Sequence, residues 1–468
     1  MKTRALPTYL MVPLKWSIWS TIASLLFVTC SFYSVASESN LESIDEYIEL
    51  IDANNKAMFS LAIVENGEVL YQNQIGHAFI GQNNAKHNLA DKQTRYTIAS
   101  ITKTFTATMI FQLIEQGELS LKTELSEFYP NFEKSKSITI AHLLAHQSGL
   151  FNYTDSPEFA SYFSQRQTNQ QMLDRFYSYR QKFEPGTSRQ YSNTGYYLLG
   201  LIIEDVTGDS YEDNLKTHIT DKLKLRNTSL CRDYSSCNFD TQSYTYWASD
   251  WFEQSVWDPS VSAGAGGIIS TPSDLGIFID ALFKGKLVSL KTVNKMKAMN
   301  TGVGKGLWYM PYYGKMGWGH NGLIEGFQSQ LIYFDKEDVA FAITANGLNE
   351  SQKNIMNTVI GLYFNQDVTL PNYNRPFTSI AAEELNKYLG HYKTFSMPLE
   401  AELFLENDQL MGRWTGQDAI AFQPLSNTEF ESRENGILLK FVTSPSGNIN
   451  YRQATLYQRD WELEFYRK

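Results

Sequence analysis

The sequence predicts an α+β fold, in which helices flank one antiparallel sheet and form an all-helical subdomain, followed by a small C-terminal β-barrel. Two observations predict this arrangement. Strand-like segments lie before and after a long helical middle, which implies one sheet built from both ends of the domain. Beyond a linker, short apolar segments alternate with turn signals. Because 468 residues exceed one ordinary core, we divide the chain into a signal peptide and two domains, at 1–36, 37–368 and 369–468.

The first domain opens with a helix predicted over 41–51. Two apolar segments, 59–64 and 69–75, then flank Asn66-Gly67, which is a strong signal for a β-hairpin. Helical patterns dominate the middle of the chain, from Ser100 to about Leu290. The remaining elements are two strands and a closing helix, predicted over 330–334, 339–345 and 350–363.

The second domain begins after a linker at 367–376, where Pro371 and Pro376 flank Asn-rich sequence. A short helix is predicted over 383–388. Strand-like segments with turn signals between them follow, among them 399–405, 419–422, 437–443 and 461–467. Many short strands joined by turns predict a small barrel or sandwich.

The N-terminus has the features of an export signal. Three basic residues precede an apolar stretch at 16–35, and Ser34-Val35-Ala36 fits a cleavage site after Ala36. A start at Met11 would give a shorter basic region. We therefore expect a periplasmic or secreted protein. The alternative is an uncleaved N-terminal anchor, because the apolar stretch is just long enough to span a bilayer.

Charge and cysteine content narrow the possible partners. Removal of residues 1–36 takes away three basic and no acidic residues, so the formal net charge changes from −10 to −13. A surface that acidic argues against nucleic acid or anionic lipid as a partner. Two cysteines then remain, Cys231 and Cys237, and in an exported protein they predict a local disulfide rather than two free thiols. We expect a monomer without cofactor or metal.

Ser100-Ile101-Thr102-Lys103 is the most informative motif of the chain. Its Ser and Lys stand at i and i+3 at the start of a helix predicted over 100–116, and these positions share one helix face. A Ser hydroxyl is a poor nucleophile until a neighbouring base takes its proton, and a partly neutral Lys can do so. By itself the spacing also fits a solvated helix start, so the interpretation depends on later motifs.

The later motifs are Tyr191-Ser192-Asn193 and His320-Asn321-Gly322. A Pro185-Gly186 turn leads into the first of them, and a helix predicted over 194–206 follows it. The other lies in a glycine-rich stretch before the strand at 330–334, where missing side chains let a ligand approach the backbone. The chain therefore supplies hydroxyl, amine and amide groups in three separate segments.

With these motifs the sequence resembles the serine hydrolases of the penicillin-recognising superfamily. The resemblance is to the branch that holds class C β-lactamases, D-alanyl-D-alanine carboxypeptidases, D-aminopeptidases and related esterases. Segments 138–150 and 262–275 resemble the same family, and the likeness runs from about residue 44 to 364. It implies the β-lactamase/transpeptidase-like fold. Residues 388–392 resemble the opening of lipocalin-like C-terminal domains in some members.

The resemblance also implies roles for the motif residues. Ser100 would be the nucleophile, Lys103 its electrostatic partner and base, and Tyr191 the proton shuttle to the leaving group. Whether Lys103 or Tyr191 is the base stays open. Asn193 would bind the amide carbonyl of the substrate. The backbone N–H groups of Ser100 and Leu323 would form the oxyanion hole.

The third motif departs from most β-lactamases, which carry Lys where this chain has His320. We expect His320 to contact the substrate together with Asn321, Gly322 and Leu323. An ordinary His has a pKa near about 6.5, so a charge that holds a substrate carboxylate would fade between about pH 6 and 8. The alternative is a neutral His320 that relays protons or supports the strand. The His favours a peptidase over a β-lactamase.

Two further groups of residues have structural interpretations. His142 and His146 share the i, i+4 spacing of zinc ligands, but no Glu lies between them, so we expect them to support the helix and turn ending at Gly149. Aromatic residues before the third motif line a substrate groove or pack at the surface. They are Trp308, Tyr309, Tyr312, Tyr313 and Trp318.

The sequence thus predicts an exported serine hydrolase that cleaves amide bonds of small peptides through an acyl-enzyme on Ser100. The expected substrate contains a D-residue or a free carboxylate. An esterase and a β-lactamase of the same family are alternatives. A penicillin-binding sensor module that is acylated without turnover is the alternative from another functional class.

Overall fold

A six-stranded antiparallel sheet organises the first part of the molecule. The computed structural model describes residues 38–81, 88–230, 240–299 and 303–468, so the predicted signal peptide, Cys231 and Cys237 fall outside the described residues. The first hairpin pairs with the last strand of the sheet, as the sequence pattern predicts. In spatial order the strands are Trp308–Tyr312, Lys315–Ile324, Phe327–Phe334, Val339–Leu348, Ala57–Glu65 and Glu68–Ile75.

Helices cover both faces of this sheet. Successive side chains of a strand point to opposite faces, so Ile63 and Phe341 enter one core while Val64 and Ala340 enter the other. The first core is shared with the helices Glu38–Ala53 and Gln352–Tyr363. The second core is larger and includes all helices of the middle of the chain. These are Thr102–Gln116, Ile140–Leu144, Asn169–Ser178, Asn193–Thr207, Tyr211–Leu215, Asp221–Leu223, Pro259–Gly266, Pro272–Phe283 and Leu290–Lys297.

The helical middle contains short strands that the sequence pattern does not predict. Tyr96–Thr97, Ile268–Ser270 and Ser229–Leu230 form one small sheet, and Tyr244–Trp247 pairs with Asp250–Glu253 in a hairpin. These strands are two to four residues long, so their alternation is too brief to stand out from the helical pattern around them.

A closed eight-stranded antiparallel barrel forms the C-terminal part and confirms the predicted small barrel. Its first strand pairs with its last, since Tyr392 lies opposite Arg467. Aromatic side chains fill the interior, among them Phe422, Phe430 and Phe441. The strands are Gly390–Lys393, Glu400–Glu406, Gln409–Trp414, Ile420–Pro424, Glu429–Ser432, Ile437–Thr443, Ile449–Gln458 and Trp461–Arg467, preceded by the helix Ala382–Leu385.

The barrel contacts the preceding part of the chain through its turns. The backbone N–H of Ser249 donates to the Glu434 carbonyl at 2.8 Å, and Arg459 Nη2 donates to Thr245 Oγ1 at 2.7 Å. Both contacts reach the hairpin at 244–253. Within the described ranges, no helix has the length and apolar character needed to cross a membrane.

Candidate active site

Ser100 lies at the junction between a short strand and the helix Thr102–Gln116. A 3₁₀ turn, Ala99–Ile101, connects the two elements. Ala99 has a φ of 48°, in the left-handed region that is unfavourable for a residue with a Cβ, and such strain clusters at functional sites. The turn places Ser100 beside the N-terminal end of the helix, where the helix dipole stabilises negative charge.

Lys103 is completely buried one helical turn after Ser100. Its Nζ lies 3.0 Å from Ser100 Oγ, 2.8 Å from Asn193 Oδ1 and 2.6 Å from the carbonyl oxygen of Ala265. Burial lowers the pKa of the Lys103 ammonium well below its ordinary value, because the charged form loses its solvation. The site therefore favours a neutral amine next to the Ser hydroxyl.

The Tyr191-Ser192-Asn193 motif also contacts the Ser100 hydroxyl. Tyr191 Oη donates to Ser100 Oγ at 2.8 Å. Burial raises the pKa of the Tyr191 phenol, so the phenol keeps its proton. Asn193 begins the helix Asn193–Thr207, and its side-chain Nδ2 donates to Thr154 Oγ1 at 3.2 Å, which leaves Oδ1 pointing at Lys103.

The hydrogen-bond capacities of these groups accommodate the neutral amine that burial of Lys103 favours. A neutral amine has two N–H donors and one lone pair. The oxygens of Asn193 and Ala265 are acceptors only, so they take the two N–H groups of Lys103. The lone pair is then left for the hydroxyl proton of Ser100, whose oxygen accepts from Tyr191. This arrangement can carry a proton away from Ser100 Oγ as it attacks a carbonyl group.

A small pocket opens beside Ser100. Asn193 and Leu323 line it together with Ser100, as the sequence predicts, and Leu323 is 65% exposed at the edge of the sheet. Trp257 and Ile324 also line it. The pocket therefore brings together the nucleophile, the amide of the second motif and the strand of the third motif.

His320 does not have the role that the sequence suggested. Its side chain points into the molecule, is 2% exposed and packs against Trp308 with ring centroids 4.8 Å apart. Burial, with a smaller contribution from Lys103, lowers the pKa of His320 to about 3. The burial of His320 therefore favours the neutral imidazole, which was the alternative from the sequence, over a charged side chain that contacts the substrate.

The third motif lies within the strand Lys315–Ile324, and it precedes the strand Phe327–Phe334 as the sequence predicts. Protein atoms, not a ligand, occupy the space beside its glycines. A Cβ on Gly322 would collide with the Ile98 carbonyl oxygen and the Ser329 hydroxyl, which are hydrogen-bonded to each other at 2.7 Å. Gly322 thus lets the sheet approach the turn that carries Ser100. Asn321 is exposed on the strand.

Several residues that shape the site were not predicted from the sequence to lie in it. Ala265 supplies a carbonyl to Lys103 from segment 262–275. His146 is buried, accepts the Ser192 N–H at 3.2 Å through Nδ1, and packs 4.4 Å from the Tyr191 ring. Asn152 Oδ1 accepts the backbone N–H of Asn193 at 2.9 Å. In the sequence, the likeness of segment 138–150 to the family could have pointed to His146, and that of segment 262–275 to Ala265.

The histidine pair and the aromatic residues before the third motif are the remaining residues for which the sequence supported an expectation. His142 caps its own helix through Thr139, whereas His146 supports the second motif rather than the turn at Gly149. Of the aromatic residues before the third motif, Trp308 is near the site, 6.0 Å from the Tyr191 ring. Tyr313 instead donates to the Asn357 carbonyl, away from Ser100.

Comparisons with known proteins agree with this geometry. The family model described as beta-lactamase matches residues 48–363. A teichoic acid D-alanine hydrolase of Staphylococcus aureus is 28% identical over 333 residues, covering 68% of this chain and 77% of that protein. The structure of D-amino acid amidase from Ochrobactrum anthropi SV3 aligns with a TM-score of 0.60 and 26% identity, covering 70% of this chain and 98% of the amidase.

A third similarity extends into the barrel. The octameric penicillin-binding protein homologue from Pyrococcus abyssi aligns over 91% of this chain and 99% of its own, with a TM-score of 0.60 and 22% identity. At that identity the likeness concerns the fold alone. The fold and the site together define a hydrolase of the penicillin-recognising class. The chain belongs to the beta-lactamase family.

Proposed function

We propose that this protein is an exported serine hydrolase that releases a D-aminoacyl group from an amide or a related acyl derivative. Ser100 is the nucleophile and forms an acyl-enzyme. The observation that carries the proposal is the contact of the buried Lys103 Nζ with Ser100 Oγ at 3.0 Å, across which a neutral amine can take the hydroxyl proton. A nucleophile and a base within hydrogen-bond reach are the signature of covalent catalysis.

In the proposed acylation step, Lys103 Nζ takes the hydroxyl proton while Ser100 Oγ forms a bond to the substrate carbonyl carbon. The negative charge moves to the carbonyl oxygen, which the backbone N–H groups of Ser100 and Leu323 stabilise. The bond to the leaving nitrogen then breaks, and Tyr191 donates its proton to that nitrogen. The proton that Lys103 took from Ser100 then passes to the Tyr191 oxygen, so both groups are neutral before the next step.

Deacylation follows the same path with water in place of Ser100 Oγ. Lys103 accepts a proton from the attacking water, directly or through Tyr191, and the carboxylic acid leaves as Ser100 recovers its proton. The raised pKa of Tyr191 supports this division of roles, because a phenol that stays protonated is a donor rather than a base. Lys103, whose pKa burial lowers, is the better base.

The D-aminoacyl group is proposed because it is common to the two relatives. One is named a teichoic acid D-alanine hydrolase and the other a D-amino acid amidase. The sequence also suggested a free carboxylate on the substrate. A neutral, buried His320 offers no charge to such a group, so we propose that the acyl donor is recognised without it.

The same observation ranks the alternatives. A β-lactam carries a carboxylate that needs a cationic partner, and His320 does not supply one, so β-lactamase activity is the weaker candidate. An ester of the same D-aminoacyl group is the stronger second candidate, because acyl-enzyme formation needs no change in the site. Because the nucleophile Ser100 and the proton-transferring Lys103 and Tyr191 are all present, the site favours an enzyme that turns over rather than a sensor that is only acylated.

One substrate panel tests the proposal. It contains D- and L-aminoacyl para-nitroanilides, a D-alanyl ester and a chromogenic cephalosporin, each assayed with the intact enzyme and with Ser100→Ala. We expect many turnovers of the D-compounds, at least tenfold slower turnover of the L-compounds, and none with the variant. A single stoichiometric burst on every compound would favour the sensor, and an unchanged rate in Ser100→Ala would refute the nucleophile.

Export has its own test. We propose that the mature chain begins after Ala36, on the basis of the apolar stretch and Ser34-Val35-Ala36. N-terminal sequencing of the protein from extracytoplasmic fractions should find Ser37 first. An intact N-terminus in the membrane fraction would select the anchored alternative.

A further inference from the structure

A second pocket is built on two elements of the catalytic site, the helices Asn193–Thr207 and Pro259–Gly266. Its volume is about 300 Å³, which reaches the range of small-molecule sites, about 300–1,000 Å³. None of its lining residues lines the pocket at Ser100. We call it the second pocket, and its walls include Gln167 and Glu204. The two pockets are therefore separate spaces that share supporting helices.

The helix Asn193–Thr207 serves both pockets with one face. Asn193, which holds Lys103, lines the pocket at Ser100. Tyr197, Leu201 and Glu204 line the second pocket, and they follow Asn193 at intervals of four, four and three residues. Residues at these intervals lie on one side of a helix. The face that begins with the catalytic amide therefore continues as a wall of the second pocket.

The helix Pro259–Gly266 makes a similar connection through its backbone. Gly264 lines the second pocket, and its carbonyl oxygen accepts from Thr106 Oγ1 at 2.7 Å. The next carbonyl, that of Ala265, accepts from Lys103 Nζ at 2.6 Å. An occupant of the second pocket would thus contact both segments that supply acceptors to Lys103.

Glu204 gives the second pocket a negative charge. Its carboxylate is half-buried, and Oε1 accepts the backbone N–H of Tyr211 at 2.9 Å. Among the described residues, Oε2 has no hydrogen-bond donor. Arg166 also lines the second pocket, but its side chain is exposed and forms no ion pair with Glu204. The carboxylate therefore has unused capacity to accept a hydrogen bond from a ligand.

Other polar groups of the lining are also acceptors or are already paired. Gln167 is 8% exposed, and its Nε2 donates to the Gln165 carbonyl at 3.3 Å. Its Oε1 is buried in the wall and has no donor in the part of the chain that the structure describes. The Tyr197 hydroxyl is a donor, but it already contacts the Ser260 carbonyl at 3.1 Å. The walls therefore contain more unused acceptors than donors.

We propose that the second pocket binds a small molecule with a primary ammonium group and an apolar body. An ammonium group offers three N–H donors and no acceptor, which complements the unused acceptors of the walls. An anion would face the Glu204 carboxylate, and a neutral guest would leave its charge without a partner. Leu201 and Leu230 supply apolar contacts for the body of the ligand. This binding claim does not depend on the proposed function.

The test is a calorimetric titration of the intact enzyme with phenethylamine and, separately, with phenethyl alcohol and hydrocinnamate. These probes have similar apolar bodies and differ in charge. We expect saturable binding of the amine, a Kd at least about 10-fold weaker for the alcohol, and no binding of the anion. Glu204→Gln keeps an oxygen acceptor for the Tyr211 N–H and should weaken the amine about 10-fold without changing the alcohol.

Two controls locate the effect. Asp205→Asn makes the same charge change on an exposed neighbour outside the lining, and it should leave the Kd for the amine unchanged. Enzyme labelled at Ser100 with a D-aminoacyl phosphonate should also bind the amine with an unchanged Kd, because the two pockets share no lining residue.

Four results would overturn the inference: no saturable binding of the amine, equal Kd values for the amine and the alcohol, equal losses in Glu204→Gln and Asp205→Asn, or loss of binding after labelling at Ser100. If Ser100 takes up no label, the proposed function fails, while the comparison of the two carboxylate variants still decides this inference.

Discussion

The catalytic region and the barrel bury different kinds of side chain. Around Ser100, the interior contains Lys103, His146 and His320, whose pKa values are all lowered by burial. The barrel interior contains mostly aromatic and aliphatic groups, and the hydroxyl of Tyr392 is satisfied there by the Tyr388 carbonyl at 2.6 Å. Burying an ionisable group costs stability unless it is paired, so a chain tolerates it where the shifted pKa has a use.

This difference separates chemistry from architecture within one chain. The catalytic region gives up stability to hold a neutral amine beside a hydroxyl. The hydrophobic core of the barrel, by contrast, contains no lysine or histidine among the described residues. We therefore expect substitutions in the two regions to differ in kind: those around Ser100 should change rates, and those in the barrel should change stability.

The largest effect should come from Lys103. Lys103→Arg places a permanent cation at the site and removes the base, because a guanidinium is not deprotonated at working pH. We expect kcat on a D-aminoacyl anilide to fall about 10²–10⁴-fold. Lys103→Met is the matched neutral control and should fall as far. If Lys103→Arg retained clearly more activity than Lys103→Met, the role of Lys103 would be electrostatic rather than that of a base.

Tyr191→Phe should show a smaller and selective effect. The hydroxyl is proposed to protonate a poor leaving group, so kcat on an anilide should fall about 10²-fold. A para-nitrophenyl ester of the same acyl group has a good leaving group and should be affected less than 10-fold. Equal losses on the two substrates, measured under the same conditions, would indicate that Tyr191 acts in nucleophile activation instead.

A matched pair of core substitutions compares the two regions directly. Phe105 stacks on Phe278 with centroids 3.6 Å apart behind the nucleophile, and Phe422 packs in the barrel at 5.9 Å from Trp414. Phe→Leu at either site should cost about 1–3 kcal/mol, read as a lower Tm. Only Phe105→Leu should lower kcat/KM at 25 °C. A comparable rate loss in Phe422→Leu would show that the barrel shapes the site.

The smallest effect is a pH dependence of stability. The folded pKa of His320 is about 3, below its ordinary value, so its contribution is fully present above about pH 6.5 and is lost as pH falls towards 3. Between pH 7.5 and 5.0 this group should lower the free energy of unfolding by about 2 kcal/mol. His320→Gln should have a shallower slope in denaturant titrations. Identical slopes would mean that His320 has the same pKa in the folded and unfolded protein.

The sequence predicted secondary-structure elements and motifs better than the burial of individual side chains and their long-range contacts. Asn66-Gly67 and the apolar runs beside it predicted the first hairpin, because turn chemistry and alternation are local signals. The spacing of Ser100 and Lys103 predicted their contact for the same reason. The burial of His320 could not be predicted from the neighbouring residues. The glycines around it obscure the alternation of polar and apolar residues in its strand, and Trp308, which covers it, belongs to a neighbouring strand.

The sequence also did not predict the long-range polar contacts of the site. The Ala265 carbonyl reaches Lys103 across 162 positions of the chain, and a backbone acceptor leaves no trace in residue identity. His146 was visible as a residue, but its contact with the Ser192 N–H depends on a helix end folding beside the second motif. Tertiary packing decides such contacts, and one sequence does not contain that information in a local form.

Covalent trapping tests the central claim most directly. The intact enzyme, labelled with a D-aminoacyl phosphonate and digested, should carry one label on the peptide that contains Ser100, with a labelling rate that falls in Lys103→Met. Ser100→Ala, with unchanged circular dichroism, should take up no label. A label on another serine, or undiminished labelling of Ser100→Ala, would contradict the assignment of Ser100 and Lys103 as nucleophile and base.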